Sequence, residues 1–160
     1  MEKAKPQKQH EWLQKFVGEW TYEAKDLISS GKPAETQRGA EKVRSVGDLW
    51  VVFEGRAEMP GAGASSSVMT LGFDPAKNRF VGTWFGDMMT HLWVYDGSLD
   101  SAQKVLTLES EGPSFSGDGT MGKYRDIIEV VDNDHRVLWG EVFGDGKWTR
   151  FMKTDYRRRK

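Results

Sequence analysis

Apolar positions recur along this chain with two different periods. Near the start, "QKQHEWLQKF" places Trp12, Leu13 and Phe16 at helical spacing with Lys and Gln between them, which predicts one short helix over 7–16. Past Gly18 the period changes to strict alternation: Trp20, Tyr22 and Ala24 against Glu19, Thr21, Glu23 and Lys25. Strand-like runs then recur over 36–46, 49–58, 67–74, 79–86, 90–96, 104–110, 123–132, 135–143 and 147–156, making about ten with the first. Turn residues separate them, in "DPAKN", "YDGS", "DNDH" and "GDGK". The pattern predicts an all-β protein: an antiparallel up-and-down barrel of about ten strands with a short N-terminal helix. A barrel is preferred to a sandwich because consecutive strands are mostly joined by short hairpins. Nothing marks a second domain, so 1–160 reads as one unit. "RRRK" at 157–160 reads as a solvated basic tail. The small, polar loop "PGAGASSS" (60–67) is expected at the open mouth, gating access to the interior.

Two short stretches are spelled twice. "FVGEW" starts at 16 and "FVGTW" at 80; "LWVVFEG" starts at 49 and "LWVYDG" at 92. The two spacings differ, and so do the flanking residues, so a tandem duplication is excluded. A shared packing need explains the repeats better: Gly permits a bend or a close backbone approach, and the Trp beside it fills the space. In the first copy a short helix runs into a strand that opens Gly-x-Trp, an arrangement that resembles the start of calycin barrels such as lipocalins. That resemblance implies that Gly18 and Trp20 lie where the chain enters the barrel and that Trp20 plugs its closed end. More of the chain, in "HEWLQKFVGEWTYEAK", "LGFDPAKNRFVGTW", "YDGSLDSAQKVLTLESEG" and "FMKTDYRRRK", resembles the bacterial domain-of-unknown-function family DUF1579. The likeness implies a lipocalin-like barrel of about ten antiparallel strands and implies no activity.

The stretch 124–156 carries the most chemistry. Asp145-Gly146 reads as a two-residue type I′ turn. The register it sets places Phe143 opposite Trp148, Glu141 opposite Arg150, Trp139 opposite Met152, Val137 opposite Thr154 and Arg136 opposite Asp155. Opposite-charge and aromatic pairs falling together in one register support it. A turn at Asn133-Asp134 would then place Ile128 opposite Trp139, Asp126 opposite Glu141 and Tyr124 opposite Phe143. One face thus carries aromatic and aliphatic side chains around a charged row of Asp126, Glu141 and Arg150, expected inside the barrel. In the hairpin at 80–95, Trp84 is expected to oppose His91, Gly82 to make room for Trp93, and Phe80 to oppose Tyr95. Apolar residues on both faces there imply a covered exterior and a homodimer.

Composition excludes several classes. Lys plus Arg number 23 and Asp plus Glu 24, a balance that argues against nucleic-acid binding. Without cysteine, no disulfide, thiol nucleophile or thiolate metal site is available. The three histidines have no ligand spacing, so no metal is expected. The start has no signal-peptide pattern, and no run approaches the ~18 apolar residues of a membrane span. The expected setting is a bacterial-type cytoplasm. "GDGTMG" (117–122) matches G-x-G-x-x-G but precedes a strand rather than a helix, and "GPSFSG" is not a nucleophile elbow. "DND" at 132–134 lacks the remainder of a calcium loop and reads as a turn.

What stands out is the aromatic content: seven Trp, eight Phe and four Tyr. The expected function is therefore a barrel that holds a small, largely apolar or amphipathic molecule with a polar or charged group. The candidate ligand-binding residues are Trp84, His91, Trp93, Tyr124, Asp126, Trp139, Glu141, Arg150 and Met152. No cofactor is expected. Haem-binding barrels of the nitrobindin type use a histidine on a late strand, and the only late histidine here, His135, sits beside a turn. The Arg-x-Tyr carboxylate clamp of fatty-acid-binding proteins is also absent, although Arg150 and Tyr156 have the parity to share a face. Two alternatives stand beside binding. One is an enzyme with Asp126 or Glu141 as general acid/base, Arg150 as anion stabiliser and His91 as a second proton-transfer group. The other is a filled structural barrel that dimerises.

Overall fold

Alternation and turn chemistry are realised as ten consecutive antiparallel strands in a computed structural model that describes residues 1–28, 36–59, 61 and 63–160. Helix α1 (Lys8–Leu13) and a 3₁₀ turn (Gln14–Phe16) precede the sheet. The strands are β1 (Gly18–Asp26), β2 (Thr36–Val46), β3 (Trp50–Met59), β4 (Gly63–Asp74), β5 (Arg79–Gly86), β6 (Trp93–Leu99), β7 (Val105–Pro113), β8 (Met121–Asp132), β9 (His135–Gly144) and β10 (Lys147–Arg158). Each pairs with its neighbours in sequence, and β1 pairs with β10, so the meander closes into a barrel. The expected architecture is the one observed, an all-β barrel with a single short N-terminal helix.

The two ends differ. At one end α1 lies under the strands. Leu13 and Phe16 are completely buried against Val51, Phe53, Leu71 and Leu106. Trp12 packs edge-on to Phe16 and Phe80, and its Nε1 donates to the Gln103 carbonyl at 2.8 Å. His10 Nε2 lies 3.0 Å from the Phe73 carbonyl oxygen. These contacts fasten the helix across the barrel floor. The opposite end is the mouth, where β1–β2, β3–β4, β5–β6, β7–β8 and β9–β10 connect. The 60–67 stretch falls there, but only in part as a loop: Gly63–Ser67 belong to β4, and residues 60 and 62 lie outside the described residues.

The Asp145-Gly146 turn has φ of 52° and 75°, the paired positive values of a type I′ turn, and it sets the register expected from it. Trp148 faces Phe143 and Arg150 faces Glu141. A bulge at Phe151 then shifts the ladder by one residue. Met152 pairs with Gly140 instead of Trp139, Thr154 with Leu138 instead of Val137, and Arg136 with Tyr156 instead of Asp155. A second bulge, at Val131, does the same to β8. Asp132 faces His135 as the Asn133-Asp134 turn requires, but beyond the bulge Glu141 meets Arg125, Asp126 meets Gly140 and Tyr124 meets Val142. One extra residue in a strand moves every later side chain to a different partner. The hairpin of β5 and β6 is displaced by two residues: Trp84 pairs with Trp93, Gly82 with Tyr95 and Phe80 with Gly97. It is Gly112, not Gly82, that makes room for Trp93, since a Cβ at residue 112 would overlap the indole.

The twice-spelled motif has two local causes. Gly18 holds φ at +136°, where side chains are strained, and a Cβ there would collide with the Arg158 guanidinium. Gly82 has no such φ; a Cβ there would strike the Thr70 carbonyl across the sheet. The basic run at 157–160 is likewise not a free tail. β10 continues to Arg158, whose guanidinium donates to the carbonyls of Lys15, Val17 and Asn133 at 2.7–2.9 Å and lies 4.3 Å over the Trp20 ring.

Candidate functional site

Inward-pointing residues fill the lower half of the barrel and leave the upper half hollow. Trp20, from the alternation of β1, is buried at the base and donates from Nε1 to the Phe16 carbonyl at 2.8 Å. Above it lies an ion pair, Arg136 from β9 with Glu41 from β2, both buried. The Arg136 guanidinium is stacked between rings, 3.9 Å from Tyr156 and 4.5 Å from Trp20. Burial and the Glu41 carboxylate push the Tyr22 phenol up to about 12 and the Tyr156 phenol higher still, so both remain neutral donors.

Over this floor is a cavity of about 400 Å³. Its wall is mostly apolar: Trp84 and Trp93 from paired positions of β5 and β6, Tyr124 from β8, Phe115 from the β7–β8 connection, and Met69 and Met152. Ser67, Ser110 and Thr154 add hydroxyls. Among the described residues, one carboxylate of the wall has no cation paired with it: Asp126 of β8, which accepts a 2.5 Å hydrogen bond from the Tyr95 hydroxyl. Burial pushes the Asp126 carboxyl up to about 6, although the Tyr95 bond pulls in the other direction. Tyr95, almost wholly buried beside that carboxylate, is raised well above the ordinary phenol range.

The charged row expected inside the barrel is therefore divided. Asp126 lines the cavity. Glu141 and Arg150 are cross-strand neighbours, but on the outer face, where Arg125 replaces Asp126 as the third member of the row. Glu141 accepts from Arg125 Nε at 2.6 Å and from Arg150 Nε at 3.1 Å. Burial raises the Glu141 carboxyl, but the two arginines outweigh it and hold it below the usual range. Trp139 belongs to the same outer cluster, with Arg150 stacked 4.0 Å from its ring, and Arg125 covers Trp148 in the same way. The inferred row of two carboxylates against one arginine is thus, on the outside, two arginines against one carboxylate.

His91 also leaves the cavity. Its Nε2 lies 2.9 Å from the Glu111 carbonyl, and its ring abuts Trp93 edge-on at 4.8 Å. It bridges β6 and β7 where their ladder has stopped, since pairing between them covers only Asp96–Leu99. His135 sits opposite Arg157, with Nε2 2.9 Å from Asp155 on the outer surface. Arg150 and Tyr156 lie on opposite sides of the wall, because the Phe151 bulge intervenes. The sites called by sequence thus split: Trp84, Trp93, Tyr124, Asp126 and Met152 line the cavity, whereas His91, Trp139, Glu141 and Arg150 do not.

Four important interior groups were not among the candidates. Tyr95 shares parity with Trp93 and could have been found from it. Glu41 and Arg136 sit ninety-five residues apart in sequence, and nothing local joins them. Phe151 enters the wall only because it is the bulged residue.

Among solved structures, the crystal structure of Rv2717c from M. tuberculosis aligns over 92% of this chain and 95% of its own, with 13% identity and a TM-score of 0.61, a likeness of fold. The structure of EF1p2_mFAP2b bound to DFHBI aligns over 94% of this chain and 98% of its own, with 9% identity and a TM-score of 0.45. No curated protein matches the chain. The family model for DUF1579, described as a protein of unknown function, matches residues 5–158, and the chain belongs to that family.

Proposed function

We propose that this barrel binds a small, largely apolar molecule in its upper half. The observation that carries the reading is the cavity of about 400 Å³, walled by Trp, Tyr, Phe and Met, with a polar anchor at Asp126 that pairs with no cation among the described residues. Binding sites are typically concave, mostly apolar and furnished with few orienting polar groups. The enzymatic alternative has lost its cluster, because Glu141, Arg150 and His91 lie outside the cavity and Asp126 is left with a neutral phenol for company. The volume of the cavity supports binding over a filled barrel. Native mass spectrometry of protein purified from its host, followed by a screen of apolar probes, tests the reading. A co-purifying or screened ligand displaced by Trp84→Ala is expected, and failure of every probe to bind would refute it.

Self-association is a second, compatible reading. Phe85, Leu92 and Val94 are all exposed on the outer face of β5 and β6 and its adjoining loop, a neighbourhood of apolar side chains that a second copy would cover. Light scattering should give a dimer mass that Val94→Glu reduces to that of the monomer; a monomer in the unaltered protein would end this reading.

A further inference from the structure

The cavity's charge distribution narrows the class of ligand. Among the described residues, two acids line the cavity, Glu41 and Asp126. Glu41 is held by Arg136 and is neutralised there. Asp126 receives a hydrogen bond from Tyr95, and among the described residues no Lys, Arg or His forms an ion pair with it. Among the described residues, the other side chains that line the cavity carry no charge. Asp126 is half-buried; a carboxylate partly withdrawn from water without a counter-ion is costly, and a ligand can supply that counter-ion. The aromatic rings of Trp84, Trp93, Phe115 and Tyr124 line the same space, and such rings attract cations as well as apolar bodies. An anionic ligand would instead bring a second negative charge beside Asp126.

Resting on the reading of the barrel as a small-molecule binder, we propose that its ligand is an amine or other cationic nitrogen on an apolar body, and that Asp126 receives the nitrogen. The raised carboxyl of Asp126 agrees with this, because it reports an acid for which the protein provides no cation. The ionisable groups that share its surroundings are Tyr95 on β6, Tyr124 on β8 and Tyr156 on β10, with Tyr22, Glu41 and Arg136 deeper. The four phenols are all raised, and Glu41 is bound to Arg136, so Asp126 is the group whose charge changes the cavity in mild acid.

Decylamine, decanol and decanoate share one apolar body and differ in the head group, so titration calorimetry with the three reads the charge preference directly. Near neutral pH, decylamine is expected to bind at least about tenfold more tightly than decanol, and decanoate most weakly. Asp126→Asn should remove that advantage while changing decanol affinity by no more than about twofold. A second measurement needs no variant: with the unaltered protein, the advantage of decylamine over decanol should shrink as pH falls through about 6, where Asp126 takes up its proton. Three equal affinities, or a preference for decanoate, would overturn the proposal and leave the binding function standing. If none of the three binds, both fall.

Discussion

Replacing Arg136 by Met removes the cation paired with Glu41 while keeping much of the side chain's apolar length. Arg136 is 3% exposed and Glu41 9%, so neither group can turn to water. The variant therefore leaves Glu41 as a buried carboxylate without its partner, and breaking such a pair typically costs about 3–5 kcal/mol. The Arg136 guanidinium also stacks on Tyr156 and Trp20, contacts that a thioether replaces only in part. For a chain of this size the loss corresponds to a fall of about 6–20 °C in Tm. Urea unfolding followed by Trp fluorescence measures it. Adding Glu41→Gln to Arg136→Met should recover most of the loss, to within about 2 kcal/mol of the unaltered protein. Arg150→Met is the internal control. Arg150 is 46% exposed and Glu141 keeps Arg125, so its cost should stay within about 1 kcal/mol. If Arg136→Met proves as mild as Arg150→Met, the buried pair contributes little and the reasoning fails.

Three further outcomes are expected. Because the folded-state carboxyl of Asp126 lies above its unfolded value, the group favours the fold most at low pH, and that contribution is lost as pH rises from about 4 through about 6. Asp126→Asn should therefore stabilise the protein at neutral pH, by at most about 3 kcal/mol and less where water reaches the cavity, and should change little near pH 3; superimposable pH profiles of the two proteins would contradict this. Arg158→Gln should lose about 2–4 kcal/mol and speed hydrogen exchange in Gln14–Phe16, because the guanidinium holds the Lys15 and Val17 carbonyls; unchanged exchange there would show that the staple is idle. Gly112→Leu should drive the Trp93 indole from its place and lower affinity for any cavity ligand with little effect on Tm, and unaltered binding would mean that Trp93 does not shape the site.

The strands were legible because alternation and turn chemistry are local signals. The Asp145-Gly146 turn fixed four cross-strand pairs correctly, from Lys147 and Gly144 to Arg150 and Glu141. The site was less legible because placing a side chain inside or outside depends on parity, and parity survives only until the next bulge. Phe151 and Val131 each add one residue, and neither position announces it: both are apolar residues within runs that read as regular strand. The Val131 bulge alone exchanges Asp126 for Arg125 opposite Glu141, which reverses the charge of the row and sends it to the outer face. A pair such as Glu41 and Arg136 is harder still, because it forms across the closed barrel and only closure brings β2 and β9 within reach.

Strand number connects these details to function. An interior enclosed by eight strands is just wide enough for side chains to fill, and ten strands enclose more. This chain fills the lower half with what its N-terminus provides: α1 and the 3₁₀ turn bring Trp12, Leu13 and Phe16 beneath the strands, and Trp20 and Arg136 complete the layer above them. Among the described residues, the excess width toward the mouth remains as the cavity. The two interior carboxylates then have different fates for a positional reason. Glu41 lies in the packed layer, where the protein supplies its cation. Asp126 lies in the hollow layer, where Tyr95 gives it one hydrogen bond and no cation pairs with it among the described residues.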